Sequence, residues 1–345
     1  MSEPRIQTSS VAPEVLRRTR EIVEPALRAA VAGLADERMR LIASYQMGWQ
    51  DADGQPTDSG GKAIRPGLAV LSAQACGAAP GVGVPGAVAV ELVHNFSLLH
   101  DDVMDRDVER RHRPTGWVVF GEAQVILAGN AMLTEAVRVL ERDGAAGRRA
   151  LPLLLDSTQL LISGQSQDLD LEGRWDVTLE DVLCMEAGKT AALLACSSAI
   201  GARAAGAPEA MVAGLSAYGQ ELGIAFQLVD DILGVVGDPA TTGKSSSSDV
   251  RAGKRSAPIV AALRSGTPAG DRLAAMFADG PPDTDSDVQT ATELVREAGG
   301  LDWAMTEADA RLARAMTGLE RLGLPNASAV ADLVAVGRFI VGRDR

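Results

Sequence analysis

"AMVAGLSAYGQELGIAFQLVDDIL", residues 210–233, is apolar around nearly its whole circumference when wound as a helix, and it ends on a pair of aspartates. An amphipathic surface helix shows a polar stripe; this stretch has none, so the pattern predicts a helix surrounded by other helices. "VLCMEAGKTAALLACSSAIGA" (182–202) has the same character, and "LPLLLDSTQLLISG" (151–164) is helical in length. "PEVLRRTREIVEPALRAAVAGLADERMRLIASY" (13–45) repeats apolar residues at three-and-four spacing with charges between, the amphipathic signature of an outer helix. Breaks fall at "GWQDADGQPTDSGG" (48–61), "CGAAPGVGVPG" (76–86), "GVVGDPATTGKSSSS" (234–248), "RSGTPAGDRL" (264–273) and "ADGPPDTDSD" (278–287). Helical patterns flank each break, no repeat is present and no section is rich in strands. The expectation is an all-α fold in one domain over residues 1–345, a multi-helix bundle, with residues 1–14 as a flexible tail. Thr178 and Asp181 in "TLED" form a capping box for the helix that follows.

Composition narrows the function classes. Of 345 residues 46% are apolar and only 3% aromatic, so any cavity is lined by aliphatic side chains. A net charge of −13 argues against nucleic acid as a partner, because phosphate backbones select basic surfaces. Small anions remain open to a local cluster of Arg and Lys. Cys76, Cys184 and Cys196 sit in apolar surroundings without metal-ligand spacing, and read as reduced core thiols. No basic-then-apolar leader opens the chain, and no uninterrupted apolar run is long enough for a transmembrane segment; the expected localisation is cytoplasmic.

Two stretches imitate nucleotide loops. "GVGVPG" (81–86) fits G-x-G-x-x-G, but Pro80 and Pro85 interrupt it and no strand precedes it. "GDPATTGKS" (237–245) has five residues between its glycines where a P-loop has four.

The acidic pairs are more telling. In "LLHDDVMDRDVERR" (98–111) a buried-looking helix ends in Asp101, Asp102 and Asp105. Residues four apart on a helix lie about 40° apart around the axis, so Asp101 and Asp105 share a face with Asp102 beside them. Clustered carboxylates repel unless a cation converts repulsion into coordination, and hard oxygen clusters of this kind suit Mg²⁺, which shares its coordination with water and phosphate. His94, His100 and His112 fall nearby, but not at the spacing of a zinc site. Asp230 and Asp231 end the long apolar helix in the same way. Two buried helices ending in aspartate pairs are expected to face one cavity and clamp a polyanion through Mg²⁺. The basic residues of a diphosphate site are also present: Lys62 and Arg65 in "GGKAIRPG", Arg110, Arg111 and Arg113 in "ERRHRP", Lys189 with Thr190 in "GKT", and Lys244 and Lys254, with Asp249, in "GKSSSSDVRAGKR".

In order and spacing, "GGKAIRP", "LLHDDVMDRDVERR", "GQSQDLD", "GKT" and "FQLVDDILGVVGD…GK" resemble the trans-isoprenyl diphosphate synthases, or polyprenyl synthetases, from about residue 15 to the C-terminus. "YQMGWQDADGQP" and "DDILG" are similar to the actinobacterial geranylgeranyl diphosphate synthase branch. The resemblance implies an all-α bundle around a deep central cavity, a homodimer, and three Mg²⁺ ions per site. It implies that Asp101, Asp105 and Asp230 bind metal, and that Asp102, Asp231 and Asp249 support it through bound water. Lys62, Arg65, His94 and Arg111 would hold isopentenyl diphosphate. Arg110, Lys189, Lys244 and Lys254 would hold the allylic diphosphate (dimethylallyl, geranyl or farnesyl), with Thr190 and Gln227 facing the developing allylic cation.

Within that family the growing chain extends below the first aspartate helix, so bulky residues just before Asp101 form a floor. Phe96, with the small Ser97 beside it, resembles the pattern for geranylgeranyl diphosphate as product, with farnesyl diphosphate as the alternative. The family's second motif carries an acid where this chain has Gly234, which removes one outer carboxylate. A class I terpene cyclase needs an Asn/Ser/Glu triad that "DDILGVVGD" lacks, and a non-catalytic partner subunit is expected to have lost the Lys62/Arg65 pair that this chain keeps.

Overall fold

The computed structural model describes residues 11–174, 176–237, 247–278 and 280–342. Among them helices dominate, and the only paired strands are two dipeptides, β1 (Glu109–Arg110) and β2 (Arg113–Pro114). The chain divides into two compact units.

The first unit comprises Met1–Thr158, Leu193–Gly219 and Gly318–Phe339. It holds α1 (Val11–Ala32), α2 (Glu37–Gln46), α3 (Ile64–Ala75), α4 (Pro80–Met104), α5 (Gly116–Phe120) and α6 (Glu122–Arg142), with the start of α7 (Gly144–Leu171), most of α9 (Ala192–Ala204) and the start of α10 (Glu209–Val236). The amphipathic N-terminal stretch is two helices rather than one. Gly33 to Ala35 break it, and Asp36 caps α2 by accepting the Met39 N–H. Helix α1 begins at Val11, inside the stretch expected to be a tail. The buried α4 packs on α1, α3 and α6. Leu68, Leu71, Leu92, Leu99, Met132 and Leu140 are inaccessible to solvent or nearly so, each worth about 1.5–3 kcal/mol of burial.

One expected loop is helix. "GVGVPG" lies inside α4, which starts at Pro80. Proline is tolerated in a first turn, and the glycines are there for contact. A Cβ on Gly83 would come within 2.8 Å of Val70 Cα on α3, and one on Gly86 within 3.0 Å of an Ile200 methyl on α9. The nucleotide-loop spacing is thus the footprint of close helix packing.

The second unit comprises Gln159–Ala192, Gln220–Thr317 and Ile340–Arg345. It contains the end of α7, α8 (Leu179–Glu186), a π-helical turn at Ala187–Ala191, the end of α10, and helices Ser248–Ala252, Ala257–Leu263, Pro268–Ala278, Asp285–Glu297 and Gly300–Arg321. Thr178 and Asp181 form the expected capping box at the start of α8. Val235, Ile259, Leu273, Phe277 and Leu294 build this unit's core. Helix α10 is as apolar in place as in sequence: Leu215, Leu222, Ala225 and Leu228 are fully buried.

Two helical stretches, Pro80–Met104 and Leu179–Ala204, are long and apolar enough by composition to cross a membrane, and most of each is buried in the fold.

Candidate active site

The expected site residues fall into two clusters, one in each unit. In the first, α4 ends at its aspartates. Asp105 is the C-cap, its N–H bonded to the Asp101 carbonyl at 2.8 Å, so Asp101 and Asp105 follow each other up one edge of the last turn. Asp102 points elsewhere. It is buried, and its Oδ1 accepts from Arg110 Nε at 2.7 Å, while its Oδ2 is buried without a hydrogen-bond partner. Burial pushes the Asp102 carboxyl up to about 6 against the pull of Arg110.

Arg110 arrives there on the β1–β2 hairpin, which pairs Glu109 with Pro114 and Arg110 with Arg113. The two turn residues, Arg111 and His112, both have positive φ, 54° and 58°. A two-residue turn of this hand matches strand twist but normally recruits Asn or Gly, so the strain is accepted at this point for what it places. Arg110 is returned to Asp102, and Arg111 is aimed at the Gly60–Gly61 backbone, where a Cβ on Gly61 would lie 3.1 Å from both terminal guanidinium nitrogens. Arg113 serves the frame: it donates to Ser59 Oγ at 2.7 Å and to the Gln50 carbonyl at 3.1 Å, and lies 4.2 Å over the Tyr45 ring. Tyr45 in turn donates to the Pro114 carbonyl at 2.6 Å.

The "GGKAIRP" stretch lies in the same unit. Ala63 takes a left-handed conformation (φ 51°) and starts α3, so Lys62 precedes the helix and Arg65 sits in its first turn. Lys62 Nζ is 5.5 Å from the centre of the Phe339 ring. Arg65 Nη1 meets His94 Nε2 at 3.2 Å. A guanidinium only donates, so His94 accepts through Nε2 and is neutral; burial and then the charges of Arg65, Arg111 and Arg110 hold its pKa well below the usual imidazole range. Glu91, one turn earlier on α4, is raised by burial and faces the charges of Arg65, Arg111 and Arg20. Phe96 is buried, its ring edge-on to His100 with centroids 4.9 Å apart, and Ser97 bonds back to the His94 carbonyl.

In the second unit Lys189 and Thr190 occupy the π-helical turn. Such turns are rare and recur at functional sites, because one extra residue re-aims the side chains around it. Lys189 Nζ donates to Asp168 Oδ2 at 2.5 Å. Asp168 belongs to "GQSQDLD", a motif quoted from the sequence without a role assigned to this residue. The signal was in the glycines: a Cβ on Gly164 would come within 2.6 Å of the Gly188 carbonyl carbon, and one on Gly188 within 3.0 Å of Gly164 Cα. The two motifs cross glycine on glycine, which sets the residue after Gly188 against the residue one turn beyond Gly164.

Thr190 Oγ1 donates to Gln227 Oε1 at 2.8 Å, Gln227 Nε2 donates to Asp231 Oδ1 at 2.9 Å, and Asp231 Oδ2 accepts the Ala257 N–H at 2.9 Å. Asp231 is buried, and burial, then the neighbouring Asp249, push its pKa up to about 7. Glu186, which the sequence reading passed over, is buried beside Asp231, and neither of its oxygens meets a protein donor. Burial and then the Asp231 carboxyl raise its pKa well above the usual carboxylate range.

Each aspartate pair therefore divides its labour. Asp101 and Asp230 are accessible, whereas Asp102 and Asp231 are buried and hold other side chains, Arg110 and Gln227. Gly234 has its own explanation: a Cβ there would be 2.5 Å from Asp249 Cγ, so the Asp249 carboxyl fills the space where a side chain at 234 would start. Lys254 follows the Ser248–Ala252 helix, its N–H bonded to the Asp249 carbonyl at 2.9 Å. Lys244 lies outside the described residues. Among the described residues no group of three or more His, Cys, Asp and Glu is gathered closely enough to hold an ion by itself. The donors are hard carboxylate oxygens, and one buried oxygen, Asp102 Oδ2, is short of a donor. That set fits a cation that keeps its waters and takes remaining ligands from phosphate.

The polyprenyl synthetase family model matches residues 52–295. A (2E,6E)-farnesyl diphosphate synthase of Mycobacterium tuberculosis is 44% identical over 95% of this chain and 92% of its own. A geranylgeranyl diphosphate synthase of the same organism is 43% identical over 96% of this chain and 93% of its own. A crystal structure of a polyprenyl synthetase from Streptomyces coelicolor superposes with a TM-score of 0.89 at 47% identity, covering 95% of this chain and 99% of the other.

Proposed function

Because the chain belongs to the polyprenyl synthetase family and is a trans-prenyltransferase, we propose that it elongates allylic diphosphates with isopentenyl diphosphate and releases geranylgeranyl diphosphate as its main product. The observation that carries the site assignment is the division within each aspartate pair, an outer carboxylate at least partly exposed and an inner, buried one anchoring a substrate-facing side chain.

In this reading Asp101, Asp105 and Asp230 hold Mg²⁺ ions, three in all, and Asp102, Asp231 and Asp249 orient the water around them. When bound there, Mg²⁺ would supply the charge neutralisation that makes the allylic diphosphate a competent leaving group. Arg110 and Lys189, each held by an aspartate, take the oxygens of that diphosphate together with Lys244 and Lys254. Lys62, Arg65, His94 and Arg111 bind isopentenyl diphosphate, and the neutral His94 leaves the positive charge there to the Lys and Arg side chains. Thr190 commits its proton to Gln227 Oε1 and Gln227 Nε2 donates to Asp231, so the lone pairs of Thr190 Oγ1 and the second lone pair of Gln227 Oε1 remain for the developing cation. Aliphatic walls keep water from that cation until the alkene attacks.

The product rests on Phe96 as the floor. The farnesyl reading has support of the same weight from the relatives, since the two mycobacterial synthases match at 44% and 43% identity. Incubation with isopentenyl diphosphate and each allylic primer under Mg²⁺, with chain lengths read by mass spectrometry, decides between them. A main product that stops at farnesyl diphosphate overturns the assignment of length, and no turnover of isopentenyl diphosphate overturns the activity. A homodimer in a cytoplasmic setting is part of the proposal; exposed Ile126 and Leu127 on α6, and Leu155, Leu160 and Ile162 on α7, are apolar surface that a second copy would cover.

A further inference from the structure

We propose that His100, seated in a notch on α6 made by Gly129, is a positioning residue that sets product length by holding Phe96 in place. The inference rests on the reading of Phe96 as the floor. Phe96 and His100 lie one turn apart on the same face of α4, and their rings meet edge to face, with centroids 4.9 Å apart at 74°. Edge-to-face contact is a favoured arrangement of two rings. The far side of the imidazole is tied to the neighbouring helix: Nε2 lies 3.1 Å from the Ile126 carbonyl. A carbonyl only accepts, so the ring proton is on Nε2. One turn along α6 stands Gly129, and a Cβ there would come within 2.6 Å of His100 Cδ2. Glycine is required at 129 by the ring that sits on it.

Phe96 itself is only 6% exposed, and the His100 ring closes one side of its surroundings. His100 has no assigned place in either diphosphate site or in the metal cluster, and its ring meets Phe96, the Ile126 carbonyl and Gly129. The floor is therefore a three-residue lock, Phe96 on His100 on Gly129, and a chain pressing on Phe96 presses on α6.

The test compares Phe96→Ala, His100→Ala, Gly129→Ala and the double variant Phe96→Ala/Gly129→Ala, with full product spectra from geranyl and farnesyl primers, the rate of the first condensation, and thermal unfolding. Gly129→Ala is expected to displace the ring and raise the share of chains longer than the wild-type product roughly tenfold, about 1.4 kcal/mol in the partition between release and further elongation. The first condensation should stay within about twofold, well under 1 kcal/mol in the barrier. His100→Ala should act in the same direction, and Gly129→Ala should add nothing in the Phe96→Ala background, because both open the same lock. If Phe96→Ala lengthens the products while Gly129→Ala and His100→Ala leave them unchanged, the lock is refuted and the floor stands. If Phe96→Ala leaves the product unchanged, the floor itself falls, and the lock with it.

Discussion

Replacing His94 by glutamine should flatten the loss of stability on mild acidification. His94 Nε2 accepts a hydrogen bond from the Arg65 guanidinium at 3.2 Å. A proton on that nitrogen would break the bond and set a second positive charge against the first, at a cost on the order of 5 kcal/mol for an effective dielectric near 20. Burial is the larger part of the penalty, and the folded-state pKa lies well below the ordinary imidazole value of about 6.5. The sign follows from that depression. Below about pH 6.5 the unfolded chain takes up a proton at this residue and the folded chain does not, so stability is full above that pH and falls with acidification. The limiting slope is about 1.4 kcal/mol per pH unit, or about 2 kcal/mol by pH 5. Glutamine can accept from Arg65 through Oε1 and does not titrate. Urea unfolding of both proteins from pH 8 to 5 should show the wild type losing about 2 kcal/mol more than the variant over that range. Groups common to both, Glu91 included, largely cancel in the difference. Parallel curves would refute the argument, because they would mean that the folded protein accommodates a charged His94.

Asp168→Asn should raise KM for the allylic diphosphate by roughly three- to tenfold while leaving KM for isopentenyl diphosphate alone, since it removes the carboxylate that steadies Lys189; steady-state kinetics with each substrate varied would check this. The Asp168–Lys189 pair is partly exposed, at 27% and 23%, so thermal unfolding should register about 1 kcal/mol or less. Gly234→Ala should push the Asp249 carboxyl aside and raise the Mg²⁺ concentration for half-maximal activity several-fold, with the unfolding temperature nearly unchanged; an unaltered Mg²⁺ titration would detach Asp249 from metal binding.

Much of the site could be read before any coordinates, because its chemistry depends on residue types that are out of place where they stand. Aspartates at the ends of apolar helices and a lysine inside one demand partners, and those partners have to be charged. The helices were legible for a related reason, since apolar residues that must be buried recur with the period of the helix. The reading failed on one glycine stretch, and elsewhere it stopped short of what glycine and direction decide. "GVGVPG" looked like a break because glycine and proline usually make one, yet these glycines are flattened against Ala69–Val70 and Ile200. Gly234 was read as one missing outer carboxylate, to which the structure adds that Asp249 fills the space beside it. Asp102 and Asp231 were expected to support the metal rather than bind it, and since adjacent helical positions point about 100° apart, the pair alone did not say which side chain each inner aspartate would hold. Asp168 and Glu186 gave no signal as single residues; their meaning lies in what crosses them.

By itself, then, the sequence determined the helical class, the two acidic helix ends and the set of basic residues, since those follow from local periodicity and from the cost of burying charge. Tertiary structure alone decided which aspartate of each pair holds Arg110 or Gln227, that Lys189 leans on Asp168, and that the Phe96 ring is backed by His100 seated on Gly129. Those choices depend on where two helices touch, and a contact between residues far apart in the chain leaves in either segment no more than a missing side chain.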